Sequence, residues 1–274
     1  VGAKEIGYMY GQYKRLVNRF EGVLTGKGLS YGGLAGRTEA TGYGIVFFAK
    51  NMLEANGEKM AGKTVAISGF GNVAWGTASK LNQLGAKLIT ISGPDGYILD
   101  EDGISGEKVD FMLELRASGK NVVAPYVEKF PNAKFFKDEK PWNVKADLYI
   151  PCATQNEIQL EDAKNIVANG AKFVCEGANM PTTNEALKYL MDNGIIVGPA
   201  KAANAGGVAC SAIEMSQNSR KMPMTPEEVY TQLESIMKNI HDNSAEASEK
   251  YGYGYNLVYG ANIAGFLKVA EAMT

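Results

Sequence analysis

One short stretch limits the possible folds of this chain more than any other. Thr64-Val65-Ala66-Ile67-Ser68 is apolar and β-branched enough for a buried strand, and Gly69-Phe70-Gly71-Asn72-Val73-Ala74 follows at once in the pattern G-x-G-x-x-A. A strand that turns through glycines into a helix uses each small residue mechanically. One makes the tight turn, one lets the backbone approach a pyrophosphate, and one allows close helix–strand packing. The helix N-terminus then presents unpaired N–H groups to an anion. The same glycines also suit an ordinary turn between a buried strand and a helix, and spacing alone does not separate the two readings.

The rest of the chain alternates in the way this motif requires. Strands are predicted over residues 64–68, 87–92, 147–150, 172–175 and 195–197, and helices between them over 75–84, 160–168 and 184–192. Strand, helix, strand implies parallel pairing with right-handed crossovers. The expected fold class is therefore α/β, a Rossmann-like, doubly wound, mainly parallel sheet with flanking helices and ligand sites at the carboxyl ends of the strands. Ahead of it, Ile6, Met9, Tyr10, Tyr13, Leu16, Val17 and Phe20 recur at helical spacing and predict an amphipathic helix that packs against something. Glycines crowd the segment 22–44 and mark a boundary. Thr41 is expected to cap a helix running to Ala55 that Asn56-Gly57 stops. The chain ends in helices, predicted over 208–218, from Thr225 with Pro226 at the first position to Tyr251, and over 256–273.

Composition excludes several classes of partner. A length of 274 residues gives one large or two modest domains, and 28 basic against 30 acidic residues leave a net charge of -2 without a basic block for nucleic acid. Apolar stretches such as 45–49 fall far short of the roughly 20 residues a membrane helix needs. Cys152, Cys175 and Cys210 form no Cys-x-x-Cys pair, so neither a disulfide framework nor a metal site is written here, and a reducing, cytoplasmic setting follows. The single histidine, His241, sits in a polar helical stretch and reads as a solvated side chain; Lys201 reads as half of a surface ion pair. Met215, Met222 and Met224 read as adaptable packing. The first residue, Val1, carries neither a methionine nor a signal pattern, and the natural start is expected elsewhere.

Candidate binding residues fall at the expected strand ends. An acid for an adenosine ribose belongs about 20 residues after the glycine turn. The second strand instead ends Ile91-Ser92-Gly93-Pro94-Asp95, so Asp95 comes slightly late. Its charge would repel a 2′-phosphate, which favours NAD over NADP, although Gly93-Pro94-Asp95-Gly96 also reads as a plain turn. Three loops share one rim: Pro151-Cys152-Ala153-Thr154-Gln155-Asn156, Glu176-Gly177-Ala178-Asn179-Met180-Pro181 and Lys201-Ala202-Ala203-Asn204-Ala205-Gly206-Gly207-Val208. Their amides and hydroxyls can bind a nicotinamide or ribose without adding charge.

Together with Gly22-Val-Leu-Thr-Gly-Lys27, Arg37-Thr-Glu-Ala-Thr-Gly-Tyr-Gly44, Gly177-Ala-Asn-Met-Pro-Thr182 and Asn204-Ala-Gly-Gly-Val208, these motifs resemble, in order and over essentially the whole chain, the hexameric bacterial glutamate dehydrogenases. The resemblance implies a substrate-domain remnant over residues 1–34, a dinucleotide domain over 35–255, and a last helix over 256–274 that returns to the substrate domain. It implies cofactor contacts at Thr41 and at the turn residues Gly69, Phe70, Gly71, Asn72 and Val73. Pro94 and Asp95 stand toward the adenosine, and Ala153, Thr154, Asn179 and Asn204 toward the nicotinamide riboside. It places Arg37 and Thr25 near the cleft, and Val208 and Ser211 toward the substrate side chain, where Ser211 donates to the far carboxylate of glutamate; the competing reading of Ser211 is a helix serine bonded to a backbone carbonyl. The family's catalytic lysine and aspartate have no counterpart after Val1, so no catalytic residue is assigned in this chain. The longer protein is then expected to deaminate L-glutamate to 2-oxoglutarate and ammonium with NAD or NADP, as a homohexamer, whereas this chain alone would bind dinucleotide with negligible turnover, as a monomer or weak dimer. A branched-chain or aromatic amino-acid dehydrogenase and a non-catalytic dinucleotide-binding module are the competing readings.

Overall fold

The structure, a computed structural model, describes residues 2–274. Its centre is a seven-stranded sheet built from β1 (Thr64–Ile67), β2 (Lys87–Gly93), β3 (Gly96–Leu99), β4 (Lys134–Lys137), β5 (Leu148–Ile150), β6 (Phe173–Cys175) and β7 (Ile196–Gly198). The strand order is β4-β3-β2-β1-β5-β6-β7, with only the β2–β3 and β3–β4 pairs antiparallel. Strand order therefore reverses at β1, whose neighbours β2 and β5 lead away in opposite directions. The crevice above the carboxyl ends of β1 and β5 is where ligands of such sheets bind.

Alternation along each strand feeds two separate cores. Val65, Ile67, Leu148, Ile150, Phe173 and Cys175 pack into one cluster, while Ala66, Tyr149 and Val174 pack into the other. The first face is covered by α2 (Ala40–Ala55) and α3 (Asn72–Gln83), the second by α6 (Leu160–Ala168) and α7 (Asn184–Asp192). A sheet covered on both faces explains why its strands read as nearly continuous apolar runs. Pairing of β1 with β2 slips between Val65 and Ala66, and the Thr90 hydroxyl fills the gap by accepting from Ile67 N–H and donating to Ile67 C=O, both at 2.9 Å.

The remaining helices are α1 (Ala3–Val17), α4 (Glu107–Ala117), α5 (Tyr126–Lys129), α8 (Ala200–Ala203), α9 (Gly206–Arg220), α10 (Pro226–Lys250) and α11 (Leu257–Met273). The Thr225 side chain caps α10 by accepting from Glu228 N–H, and Glu228 returns a bond from Thr225 N–H at 2.8 Å, with Pro226 in the first turn. Among the described residues no helix is long and apolar enough to cross a membrane.

Several expectations need correction. Strands β3 and β4 and helix α4 were not predicted. The segment after Asp95 turns straight back as a hairpin, and its Tyr97 stacks on Phe136 of β4 with ring centroids 4.7 Å apart. Helix α1 ends at Val17 and buries only Tyr10, because Asn18 takes the left-handed conformation that closes it. Thr41 lies inside α2 and makes no cap; Glu39 occupies the N-cap without a side-chain bond. His241 is buried: its Nε2 lies 2.7 Å from the Tyr255 hydroxyl, its Nδ1 2.9 Å from Asp242, and its ring meets Phe48 edge-on. Polar neighbours in sequence hid it, since the helix face carrying Met237, His241 and Ser244 turns inward. Lys201 bonds the Asn262 side chain, a neutral partner, in place of an acid.

Candidate functional site

The glycine turn has the geometry its sequence demands. Gly69 adopts φ +93°, and a Cβ there would stand 2.9 Å from the Cys152 carbonyl oxygen, so β1 and the loop after β5 approach backbone to backbone. At Gly71 a Cβ would meet nothing nearer than Arg116 at 3.9 Å; this glycine faces open space. Gly71 is the N-cap of α3 and offers no side-chain bond, so the first N–H groups of the helix are free for an external acceptor. Ala74, the last small residue of the motif, is fully buried against the sheet. Phe70 is buried too, edge-on to Trp75, whose indole N–H donates to the Phe70 carbonyl at 3.1 Å. Asn72 is exposed, and Val73 is half-buried beside it.

Arg116, in the last turn of α4, reaches over this turn and donates to Asn72 Oδ1 at 3.3 Å. It was not found from the sequence, because α4 itself was not. A guanidinium beside free helix N–H groups is a suitable receptor for phosphate oxygens.

Hydroxyl groups knit the strand ends beneath the turn. Gly69 N–H donates to Ser92 Oγ at 2.8 Å, and Cys152 N–H donates to Ser68 Oγ at 2.9 Å. Glu157 is buried with Oε1 accepting from Ala153 N–H at 3.0 Å and Thr154 N–H at 3.2 Å, so the exposed Ala153–Thr154 loop hangs on this carboxylate. Burial raises the Glu157 carboxyl above the usual carboxylate range despite these bonds, and Glu176, which accepts from Ala200 N–H at 2.8 Å, is raised for the same reason. The other two rim loops meet at Asn204, which donates to Asn179 Oδ1 at 2.8 Å and to the Gly177 carbonyl at 3.2 Å. Pro94 and Asp95 stand apart, at the far side of β2. The Asp95 carboxylate accepts from Val123 and Ala124 N–H groups at 2.9 to 3.0 Å, while Pro94 is exposed.

A second polar cluster occupies the head of α9. Ser211 Oγ takes hydrogen bonds from Thr25 Oγ1 and Arg37 Nε, each at 3.2 Å, and donates to the Gly207 carbonyl at 3.2 Å. Val208, one turn earlier, is 70% exposed. Thr41 lies against Gly207, where any Cβ would collide with its hydroxyl. The segment carrying Thr25 is held by Glu214, one turn beyond Ser211 on α9, which accepts from Gly26 N–H at 2.9 Å and pairs with Lys27 Nζ at 2.6 Å. Asn218 and Gln217 continue the attachment by donating to the Gly32 and Gly33 carbonyls at 2.7 and 3.1 Å. None of these anchors was singled out from the sequence; Glu214 falls on a helix with little hydrophobic asymmetry to show which side faces inward.

The crevice can thus take phosphate oxygens at α3 and neutral hydrogen-bonding groups along the opposite rim, beside the Ser211 hydroxyl of α9 and the Arg37 guanidinium, from the segment ahead of α2, that meets it. Residues 32–274 match the family described as Glutamate/Leucine/Phenylalanine/Valine dehydrogenase. The chain is 57% identical over 276 residues to the NAD-specific glutamate dehydrogenase of Clostridium symbiosum, covering 100% of this chain and 61% of that protein. It is 48% identical over 276 residues to the NADP-specific glutamate dehydrogenase of Giardia intestinalis, covering 100% of this chain and 62% of that protein. A solved glutamate dehydrogenase structure superposes with a TM-score of 0.97 at 57% identity, over 99% of this chain and 61% of that one. The chain therefore spans about three fifths of the length of these relatives.

Proposed function

The chain belongs to the glutamate/leucine/phenylalanine/valine dehydrogenase family, and from that premise we propose that it is the dinucleotide-binding part of an NAD(P)-dependent glutamate dehydrogenase. The whole protein would convert L-glutamate and water to 2-oxoglutarate and ammonium. The cofactor, when bound, accepts the hydride from the substrate α-carbon. The residues of the crevice fit such a group: the open space at Gly71, the uncapped start of α3 and the Arg116 guanidinium suit a pyrophosphate. Ala153, Thr154, Asn179 and Asn204 would line the nicotinamide riboside, and Thr41, Gly69, Phe70, Asn72 and Val73 would surround the phosphates. Asp95, with Pro94 beside it, favours NAD over NADP. The NAD-specific name of the Clostridium symbiosum relative leans the same way, and the NADP-specific name of the Giardia intestinalis relative leans against it.

One observation carries the choice of glutamate: Ser211 Oγ is met by both Thr25 and Arg37. A hydroxyl beside a guanidinium suits a second carboxylate, which would accept the hydrogen bonds that Thr25, Arg37 and Ser211 make among themselves and to the Gly207 carbonyl, whereas an apolar side chain offers these donors no acceptor. With Val208 at its edge, this cluster would form the end of the substrate pocket. The protein would work in the cytoplasm and, at full length, as a homohexamer; the present chain would be monomeric or weakly dimeric and catalytically silent.

The test has two parts. Titration of NADH into this chain, followed by Trp75 fluorescence, is expected to show saturable binding without glutamate-dependent NADH formation. Extended N-terminally by the segment its relatives have, the protein is expected to turn over glutamate and not leucine. Turnover of leucine in its place would assign it to the branched-chain members, and absence of NADH binding would remove the reading altogether.

A further inference from the structure

Glu157 is a buried carboxylate beneath the loop that follows β5. On one side its Oε1 accepts from Ala153 and Thr154 N–H groups at 3.0 and 3.2 Å. On the other side of that loop lies Ser68, at the carboxyl end of β1 immediately before the glycine turn. Ser68 Oγ accepts from Cys152 N–H at 2.9 Å, which ties the start of the loop to the end of β1 where β1 and β5 diverge. Glu157 is 3% exposed, and Lys140 is close enough for its charge to act on the carboxyl. The Glu157 backbone carbonyl is also anchored, accepting from Lys140 Nζ at 2.8 Å and from the Trp142 indole N–H. A buried carboxylate held by two loop amides is an expensive way to stabilise a fold. It does fix the direction of two consecutive peptide planes on an otherwise exposed loop.

In a doubly wound sheet, the two halves of a dinucleotide lie on opposite sides of the point where strand order reverses. The loop after β5 is on the side away from β2 and Asp95, so it serves the nicotinamide half. We propose that Glu157 is a positioning residue for the nicotinamide half of the cofactor, setting the Ala153–Thr154 peptides relative to the glycine turn without itself touching the ligand. The inference rests on the dinucleotide reading given above. It separates two contributions to affinity: the pyrophosphate and adenosine are held by α3 and β2, and the nicotinamide riboside by a loop whose shape depends on one carboxylate.

Binding of NADH and of ADP-ribose, which lacks the nicotinamide, to this chain tests it. Glu157→Ala frees both loop amides and is expected to weaken NADH about tenfold or more while ADP-ribose stays within about twofold, tenfold being about 1.4 kcal/mol. Glu157→Gln keeps an acceptor of the same reach and is expected to retain NADH affinity within about threefold, the loss of one neutral hydrogen bond or less. Should the alanine variant not fold, Glu157→Asp, one methylene too short, is expected to show the same NADH-selective loss beside a glutamine variant that does not. Equal weakening of both ligands, or no weakening of either by alanine or aspartate, overturns the proposal. If the unaltered chain binds neither ligand, the cofactor reading itself fails and takes this inference with it; binding of both with no selective effect overturns the inference alone.

Discussion

Lys27 Nζ lies 2.6 Å from Glu214 Oε1, and neither side chain has any contact with solvent. The Lys27 ammonium also bonds the Leu24 carbonyl, and the Glu214 carboxylate also receives Gly26 N–H, so both charges are nearly saturated. A pair of this kind contributes little against a well-packed apolar substitute, but removing one member strands the other. Lys27→Met is therefore expected to destabilise the chain by about 3–5 kcal/mol in urea unfolding. Lys27→Met combined with Glu214→Gln, which removes the charge and keeps an acceptor for the loop amides, should recover more than half of that. A double variant as unstable as the single one would mean that the packing of the lysine stem, rather than its charge, holds the segment.

Two glycines separate folding from binding. A Cβ on Gly42 would fall 2.5 Å from both Gly76 C and Val73 O, all backbone, because α2 and α3 cross at that point. Gly42→Ala must push two helices apart and is expected to destabilise by about 1–3 kcal/mol or more. Gly71 has an extended backbone that any residue adopts, and open space around its missing Cβ. Gly71→Ala is expected to leave the unfolding midpoint within about 0.5 kcal/mol of the parent while weakening NADH binding. Thermal melts paired with NADH titrations decide it, and a Gly71→Ala chain that binds normally would remove the pyrophosphate from this turn.

What the sequence disclosed and what it concealed divide along physical lines. Strands β1, β2, β5, β6 and β7 were readable because burial on both faces leaves runs such as Thr64–Ile67 with no polar interruption, and the cap at Thr225 with Pro226 marked α10. Strands β3 and β4 were not, because Lys134–Lys137 is an edge strand with charged ends and Gly96–Leu99 enters directly from a turn. The same gap concealed Arg116, whose closeness to Asn72 joins residues far apart in sequence. Ser211 was found by resemblance and its partners Thr25 and Arg37 were placed only near a cleft; that both meet one hydroxyl is a property of packing. Glu157 and Glu176 look like surface acids in sequence, since nothing local records that loop amides fold over them.

Arg116 leads to a prediction about salt. If its guanidinium meets phosphate oxygens at the start of α3, Arg116→Met should weaken NADH and ADP-ribose alike, by about 1.5–3 kcal/mol for a charge-assisted bond. It should also flatten the dependence of affinity on ionic strength, because exposed charges are screened. Titrations at low and high salt measure both effects, and unchanged affinity would confine Arg116 to its bond with Asn72.

Stability should depend on pH in opposite senses through two glutamates. Burial raises Glu157 above its ordinary 4.5, so over the window just above 4.5 the native chain binds more protons than the unfolded one. That contribution is fully present below 4.5 and is lost as pH rises through the raised value. Glu58, between Lys63 and Lys172, is lowered to about 2, and its contribution is present above 4.5 and lost as pH falls toward 2. Unfolding in urea between pH 3 and 7 should show that Glu157→Gln removes a fall in stability with rising pH. Glu58→Gln should instead remove a loss on acidification. The reverse assignment would show that the loop amides outweigh burial at Glu157.

Asp95 gives the last test, on cofactor choice. Its carboxylate is tied to Val123 and Ala124 N–H groups, so it keeps its place at the hairpin whether or not a nucleotide is present. A fixed negative charge beside an adenosine ribose tolerates two hydroxyls but repels a 2′-phosphate, and at a half-exposed site the penalty is roughly 1–2 kcal/mol after screening. The chain is therefore expected to bind NADH about tenfold more tightly than NADPH at low salt, with the gap narrowing as salt is added. Asp95→Asn removes the charge, keeps an oxygen for one loop amide, and should narrow the gap by strengthening NADPH rather than weakening NADH. If the asparagine variant weakens NADH and leaves NADPH unchanged, Asp95 acts on the ribose hydroxyls or the loop, and the preference must come from elsewhere in the crevice.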